Sequence, residues 1–274
     1  MRIALGLEYA GTLFAGFQSQ KDRRTVQAVL EQALERVADH PLRVVPAGRT
    51  DAGVHAREQV VHFDSEARRT LRAWREGTNA GLPPDVVVLW AQEVPPDFHA
   101  RRSALARCYR YRIRTAPNRP ALDRDRLFWT RHPLDVEAMR KSLEGWLGEQ
   151  DWSAFRSAGC QSRSSRRRVD RLTLLEQGGE VIFEIEANAF LYHMVRNFVG
   201  SLLEVGYGHQ PPEWLREVQA GRSRVAAGVM APPGGLYLWT VRYPDRYGLC
   251  QRLPSGSQKT GSARIRAPET PNCL

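Results

Sequence analysis

The stretch AGRTDAGVHA, residues 47–56, places one acidic residue, Asp51, between two glycines and two positions after an arginine. Because glycine has no Cβ, Gly48 and Gly53 let the chain turn sharply on either side of the acid and direct its carboxylate outward. Taken alone, the same pattern is also typical of an ordinary turn in which the aspartate bonds its own backbone. The rest of the chain has to decide between the two interpretations.

The segments around this stretch alternate between extended and helical patterns. Apolar residues recur at helical spacing from Thr25 to Val37, and a proline, Pro41, follows where that helix ends. The predicted order of the first half is a strand at 2–9, this helix, a strand pair at 44–63 that holds Asp51, a helix at 71–80 and a strand at 86–91.

The second half repeats this order more loosely. It predicts a strand at 108–115, a Pro- and Arg-rich connection at 117–133, a helix at 136–147, a hairpin with arms at 171–175 and 181–187, a helix at 190–205 closed by Gly206, and a strand at 236–243. We therefore predict an α+β fold of two similar subdomains, residues 1–104 and 105–247. They form one continuous, mostly antiparallel sheet flanked by helices, with a central active-site cleft. Residues 248–274 are predicted to form a disordered tail.

The charge is unevenly distributed along the 274 residues. Residues 1–100 hold 12 Lys and Arg against 13 Asp and Glu, whereas residues 101–274 hold 28 against 17. Arginine supplies 37 of the 40 cationic side chains, and its planar group binds phosphate through two hydrogen bonds. A general compositional bias toward arginine explains the scarcity of lysine but not the asymmetry. The second half is therefore predicted to bind a polyanion.

Three clusters in the second half favour RNA as that polyanion. They are Arg101-Arg102, the strand carrying Tyr109 and Tyr111 with arginines on its other face, and Arg163 to Arg168. Basic side chains bind phosphates and aromatic faces stack on unpaired bases, so the combination suits structured RNA with an exposed nucleotide. Each cluster alone is also compatible with a solvated basic face or a core aromatic.

Other chemistries have little support in the sequence. The chain has neither the GxxxxGK[ST] loop nor a GxGxxG after a strand, so no nucleotide or dinucleotide cofactor is predicted. His55, His62 and His99 do not match the spacing of a standard metal site, and no metal is predicted. The four scattered cysteines indicate a reducing compartment. We find neither a secretory signal nor an apolar run long enough to span a membrane, and the predicted location is the cytoplasm.

Five motifs, in this order, resemble the TruA family of tRNA pseudouridine synthases. They are residues 48–56 with Gln59 and His62-Phe63, ARCYRY at 106–111, Phe155 through Gln161, FLYHMVRN at 190–197, and Pro232 to Tyr237 followed by Tyr243-Pro244. The resemblance covers roughly residues 2–247, and five ordered motifs are far more specific than one. Two positions depart from the family pattern, because Glu58 stands where glycine is usual and Cys108 where a basic residue is common.

The resemblance implies an enzyme that isomerises uridine to pseudouridine in the anticodon stem-loop of tRNA, without a cofactor and as a homodimer. It implies roles for five residues. Asp51 is the nucleophile, Arg49 pairs with it and helps displace the target nucleotide, Tyr109 stacks on the extruded uracil, Arg196 forms a salt bridge with Asp51, and Leu236 packs against the base.

The residues themselves add one prediction and leave two alternatives open. Arg166, Arg167 and Arg168 are predicted to contact tRNA phosphates because they form the densest basic run of the chain. The first alternative function is a non-catalytic tRNA-binding or chaperone protein that keeps the pocket for binding. The second is a metal-dependent hydrolase that uses Asp51 with nearby histidines.

Overall fold

The computed structural model describes residues 1–249, and one mixed sheet runs through this part of the chain. Its strands are β1 (Arg2–Tyr9), β2 (Val45–Pro46), β3 (His55–Asp64), β4 (Val86–Val94), β5 (Ala106–Thr115), β6 (Phe128–Thr130), β7 (Gly148–Asp151), β8 (Arg166–Gln177), β9 (Glu180–Ala187) and β10 (Leu236–Arg242). The α-helices are α1 (Val26–Ala38), α2 (Thr78–Gly81), α3 (Val136–Ser142), α4 (Met194–Gly206) and α5 (Trp214–Gly221), and a π-helical turn at Ala73–Gly77 leads into α2.

The strand order places the first strand of each half between two later strands. The order is β4-β1-β3-β10-β5-β9-β8-β7, with β2 added to β3 and β6 to β5. Neighbouring strands are antiparallel except for the pairs β3/β10 and β5/β6. The last strand, β10, lies between β3 and β5 and so joins the two halves into one sheet. The predicted α+β class with one continuous, mostly antiparallel sheet is confirmed, whereas the subdomain boundary at 104/105 stays a prediction.

One face of the second half of the sheet is apolar and packs against α4. Tyr109, Tyr111 and Ile113 of β5 lie opposite Ile185, Phe183 and Val181 of β9, which puts all six side chains on the same face. The ring of Phe198, in the middle of α4, lies 5.7 Å from that of Phe183. Since both rings are fully buried, α4 covers this face and holds its own first turn near the middle of the sheet.

The opposite face of β5 carries the arginines predicted to form a basic surface, and the structure corrects this prediction. Arg110 pairs with Glu184 of β9, and Arg112 and Arg114 both pair with Glu180 at 2.7 Å. Oppositely charged side chains on adjacent strands attract each other across the sheet. The arginine side chains of β5 are therefore largely neutralised within the protein.

Two predicted helices are shorter than the apolar spacing suggests. The helix predicted at 136–147 ends at Ser142, because Gly145 takes a left-handed conformation with φ of 76° and Trp146 folds back to donate to the Ser142 carbonyl. The helix predicted at 190–205 begins only at Met194, because His193 has φ of 60° and interrupts the helical backbone.

Other differences lie in short elements and at one strand end. Strands β6 and β7 and helix α5 were not predicted, and β8 begins at Arg166 instead of Arg171. Within residues 1–249, no helix is both long enough and apolar enough to cross a membrane. The tail predicted at 248–274 lies, from residue 250 onward, outside the described residues.

Candidate active site

The loop that carries Asp51 is fixed at both ends by hydrogen bonds. Before the acid, the Gln59 amide donates to the Gly48 carbonyl at 2.6 Å, and the Thr50 hydroxyl lies 2.8 Å from that of Tyr9. After it, Gly53 takes φ of 77°, a region that favours glycine. The loop is therefore rigid on both sides of a carboxylate whose side chain is 25% exposed.

Two side chains from the second half reach the same oxygen of this carboxylate. Arg196 Nη1 and His193 Nε2 each lie 3.5 Å from Asp51 Oδ2. Arg196 is itself held, because its Nε donates to the Ala231 carbonyl at 2.9 Å. Both contacts on Oδ2 are longer than an ordinary N–H···O bond. Both side chains approach the same oxygen, Oδ2, of the carboxylate.

Tyr109 lies beside the acid on the apolar face of β5. Its hydroxyl is near Gly48, since a Cβ added to that glycine would stand 3.7 Å from it. The Tyr109 ring meets Phe190 edge-on, with centroids 4.8 Å apart. Burial raises the pKa of Tyr109, and the nearby Tyr9 and Asp51 raise it further. The phenol therefore stays neutral at physiological pH.

Leu236 lies on the same face of the sheet as Tyr109. It is the first residue of β10 and stands opposite Tyr111 of β5, while Leu238 stands opposite Tyr109. Since alternate residues of a strand share a face, Leu236 and Tyr109 line one side of the sheet. Leu236 is almost fully buried and gives this side an apolar wall.

Arg49 departs from its expected place. Its side chain is exposed, and in residues 1–249 it forms no ion pair with Asp51, whose contacts are Arg196 and His193. The pairing of Arg49 with Asp51 implied by the family resemblance is therefore corrected for this structure. The physical reason is that the Arg49 side chain lies in solvent, while the side chains that reach the carboxylate come from α4 and the residue preceding it.

The three consecutive arginines are the first residues of β8. Arg166 pairs with Glu149 of β7 at 2.8 Å, and Arg168 pairs with Asp170 at 2.7 Å. Arg167 donates to the Ser162 hydroxyl and to two carbonyl groups of its own segment. Arg166 and Arg168 are exposed, so a phosphate that approached them would compete with carboxylates for the same guanidinium groups.

The two departures from the family pattern point away from the acid. Glu58 is buried and accepts a hydrogen bond from the Trp90 indole at 3.0 Å, whereas the neighbouring Gln59 faces the Asp51 loop. Cys108 is buried on the charged face of β5, 3.8 Å from an Arg171 nitrogen. Burial raises the pKa of Cys108 to about 12.

The histidines considered as metal ligands form hydrogen bonds with backbone groups. His55 Nδ1 accepts from the Gly11 N–H at 3.0 Å, and its Nε2 lies 3.0 Å from the Asp125 carbonyl. His62 accepts from the Ala100 N–H at 3.2 Å, and His99 accepts from two N–H groups of the turn that follows it. In the described residues no three His, Cys, Asp or Glu side chains converge as a metal site would require.

His193 and Phe190 belong to the site although the sequence analysis gave them no role. Both lie in the motif at 190–197, directly before α4, and contact Asp51 and Tyr109 respectively. The sequence signal that could have assigned them to the site is that they share the motif at 190–197 with Arg196. Sequence reasoning placed them on a helix, whereas they lie in the turn that precedes it.

Comparison with known proteins defines the class. A family model described as tRNA pseudouridine synthase matches residues 7–101 and 144–244. Two curated relatives are both named tRNA pseudouridine synthase A. The protein of Methylococcus capsulatus is 55% identical over 94% of this chain and 97% of its own length. The protein of Nitrosococcus oceani is 52% identical over 91% of this chain and 96% of its own length. This chain belongs to the tRNA pseudouridine synthase family.

Proposed function

We propose that this chain converts uridine to pseudouridine in the anticodon stem-loop of tRNA, with Asp51 as the nucleophile. The observation that carries the proposal is the meeting of Asp51, from the first half of the chain, with Arg196 and Tyr109 from the second half. The family to which the chain belongs supports the reaction, and the proximity of these three side chains supports the roles proposed for them. The roles of Arg49 and Leu236 follow the same family resemblance.

The reaction breaks the bond between C1′ of the ribose and N1 of uracil, turns the ring, and joins C1′ to C5. The proton on C5 leaves and a proton is gained at N1, so neither a redox change nor a cofactor is needed. A carboxylate that adds to the substrate and later departs divides this rearrangement into easier steps. Arg196 contacts Oδ2 of Asp51 and so directs Oδ1 toward the substrate.

The target nucleotide has to leave its stack before the acid can reach it. Extrusion from a stem costs a few kcal/mol, which contacts to the RNA backbone and stacking inside the pocket offset. We assign the stacking to Tyr109, the apolar wall to Leu236, and the displacement of the nucleotide to the exposed Arg49. An exposed arginine with no carboxylate partner in residues 1–249 is free to enter the space that the nucleotide leaves.

Release of tritium from tRNA labelled at C5 of uridine tests the function directly. The proposal predicts that the wild-type protein releases tritium equally well with and without EDTA. A protein that binds tRNA and releases none would instead be the binding module, and activity abolished by EDTA would favour the metal-dependent hydrolase. Mapping of pseudouridine in the product then identifies the positions that are modified.

We also propose a cytoplasmic homodimer in which both subunits contact one tRNA. Its support is the family resemblance together with the proposed substrate, which resides in the cytoplasm. Sedimentation equilibrium of the full-length protein, with and without tRNA, tests the oligomeric state. A monomer at all concentrations, which still modifies tRNA, would contradict this part of the proposal.

A further inference from the structure

A chain of polar contacts leads from the interior of the second half to the acid. Asn197, in the first turn of α4, donates from Nδ2 to the Ser157 hydroxyl at 3.1 Å. The Ser157 hydroxyl lies 3.0 Å from His193 Nδ1, and His193 Nε2 lies 3.5 Å from Asp51 Oδ2. The chain therefore links two sequence motifs, 155–161 and 190–197, to the carboxylate.

The direction of each hydrogen bond follows from its partners. Asn197 Nδ2 also donates to the Phe155 carbonyl at 2.9 Å, and because a carbonyl only accepts, the amide nitrogen must face Ser157. The Ser157 hydroxyl accepts from that nitrogen and has its own proton left to donate to His193 Nδ1. The imidazole proton then resides on Nε2, the nitrogen that faces Asp51.

Burial favours the neutral form of the His193 ring. It lowers the pKa of His193, Asp51 opposes this effect, and Arg196 and Arg224 add to it. Tyr192 stacks on the ring, with centroids 3.7 Å apart. A neutral imidazole places its Nε2–H toward the carboxylate, 3.5 Å from Oδ2, without adding a second full positive charge beside Arg196.

The conformation of the backbone at His193 also fits this task. The residue takes φ of 60°, a left-handed conformation that most residues other than glycine adopt rarely and that histidine adopts more often than most. Its carbonyl accepts from the Asn197 N–H at 2.9 Å, and Ser157 N–H donates to the Tyr192 carbonyl at 3.2 Å. The left-handed turn is thus held from both the loop and the helix.

We propose that Ser157 and Asn197 are positioning residues that act through His193 to hold Oδ2 of Asp51 during the reaction. The inference rests on the proposed function, since it assigns residues to the same carboxylate. Ser157 selects the tautomer of His193, Asn197 orients Ser157, and the imidazole Nε2–H and Arg196 together fix the carboxylate.

The test compares Ser157→Ala with Ser157→Thr in single-turnover tritium release and tRNA binding. Loss of one hydrogen bond in the chain should lower the rate about 3- to 10-fold in Ser157→Ala and leave tRNA affinity within about 2-fold. Ser157→Thr keeps the hydroxyl and should retain the wild-type rate. Ser223→Ala, an exposed serine whose side chain caps nothing, is the matched control.

The pH profile gives a readout that a purely structural role would not move. Removing the donor to Nδ1 raises the pKa of His193, so its protonated form appears at a higher pH. Protonation adds a charge that draws the carboxylate away from the substrate. The rate of Ser157→Ala should therefore begin to fall at a higher pH than the wild-type rate does as the solution is acidified.

A second variant shows whether Ser157 acts through the histidine. In His193→Gln, which retains a donor toward Asp51, adding Ser157→Ala should cause no further loss, because the intermediate ring is gone. Equal rates and equal pH profiles for Ser157→Ala and wild type, or a full additional loss in the double variant, would overturn the inference. An inactive wild-type protein would instead overturn the proposed function, and this inference with it.

Discussion

At the scale of single residues, the surroundings of Asp51 differ from those of an ordinary turn aspartate, because Arg196 and His193 contact its carboxylate. The local sequence predicts the turn, because Gly48 and Gly53 flank the acid. It does not contain the groups on Oδ2, which come from positions more than 140 residues away in the chain. Only the continuous sheet, which joins the two halves through β10, brings Arg196 and His193 to the carboxylate, so this part of the site was out of reach of local patterns.

The two cysteines in the described residues also differ in their surroundings. Their relative reactivity toward an alkylating reagent is therefore testable. Cys160 is partly exposed, and although burial raises its pKa, N–H donors from Tyr192 and Ser162 together with Arg156 lower it overall. Cys108 is buried with its pKa raised to about 12. Because the thiolate is the form that reacts, iodoacetamide at about pH 7.5 should label Cys160 well before Cys108.

Peptide-resolved mass spectrometry of the native protein measures this order. The denatured protein is the control, since unfolding should make the two rates similar. Labelling of Cys108 as fast as Cys160 in the native protein would contradict the placement of Cys108 in the sheet interior.

At the scale of elements, α4 decides how the site is assembled. Its buried side packs on the sheet, and its first turn carries Arg196, whose backbone carbonyl accepts from the Ala231 N–H at 3.0 Å. Farther along the helix, Gly200 lies against the carbonyl oxygen of Val229, and a Cβ at that position would overlap it. The segment that ends at Ala231 is therefore held against α4 at both points.

We expect Gly200→Ala to damage both the fold and the site. The added methyl group would push Val229 away from α4, at a cost of about 1–3 kcal/mol of unfolding free energy, and would loosen the carbonyl that holds Arg196. Gly221→Ala is the matched control, because the Cβ at that helix end meets nothing within 4 Å. Urea unfolding and single-turnover tritium release measure the two effects.

Gly221→Ala should leave stability unchanged or raise it slightly, since alanine is the better helix former. If Gly200→Ala is as stable and as active as Gly221→Ala, the close packing of α4 against Val229 is wrong.

The elements also show which sequence patterns were sufficient to predict secondary structure. Strands β1 and β9 and helix α1 were predicted closely because alternation or helical spacing was strong and turn residues marked their ends. Strand β7, with the sequence GEQD, has no apolar alternation and forms only because Arg166, Arg167 and Arg168 pair with it in register. Such pairing depends on a partner strand, so the local sequence could not reveal it.

At the scale of the whole molecule, the net charge differs from the charge that remains unpaired and able to bind a partner. The second half is strongly basic, yet Arg110, Arg112 and Arg114 of β5 are paired with Glu180 and Glu184. The composition predicted the polyanionic partner, but not which arginine side chains remain open to it. That selection depends on the register between β5 and β9, which only the folded sheet fixes.

Replacing Arg166, Arg167 and Arg168 together by alanine should weaken tRNA binding and flatten its dependence on salt. Each phosphate contact that is lost removes roughly one unit from the slope of log affinity against log salt. The decrease in this slope should be smaller than the loss of three full phosphate contacts would cause. The reason is that Arg166 and Arg168 each give up a carboxylate partner when they bind a phosphate. Turnover at saturating tRNA should persist.

Arg72→Ala combined with Arg75→Ala is the control, since these arginines pair with Glu76 in the first half. Filter-binding titrations over a range of salt concentrations measure both slopes. An unchanged slope in the triple variant would show that these arginines do not meet phosphate.

The central claim is that Asp51 reacts while the rest of the molecule binds and positions the RNA. Asp51→Asn keeps the shape of the side chain and removes its charge, so we expect wild-type affinity for tRNA within a few-fold and no tritium release in a single turnover. The decisive measurement is therefore tritium release from tRNA labelled at C5 of uridine, at enzyme concentrations that saturate the RNA. No detectable release by Asp51→Asn, beside full release by wild type, is the predicted result, and release at the wild-type rate would contradict the account.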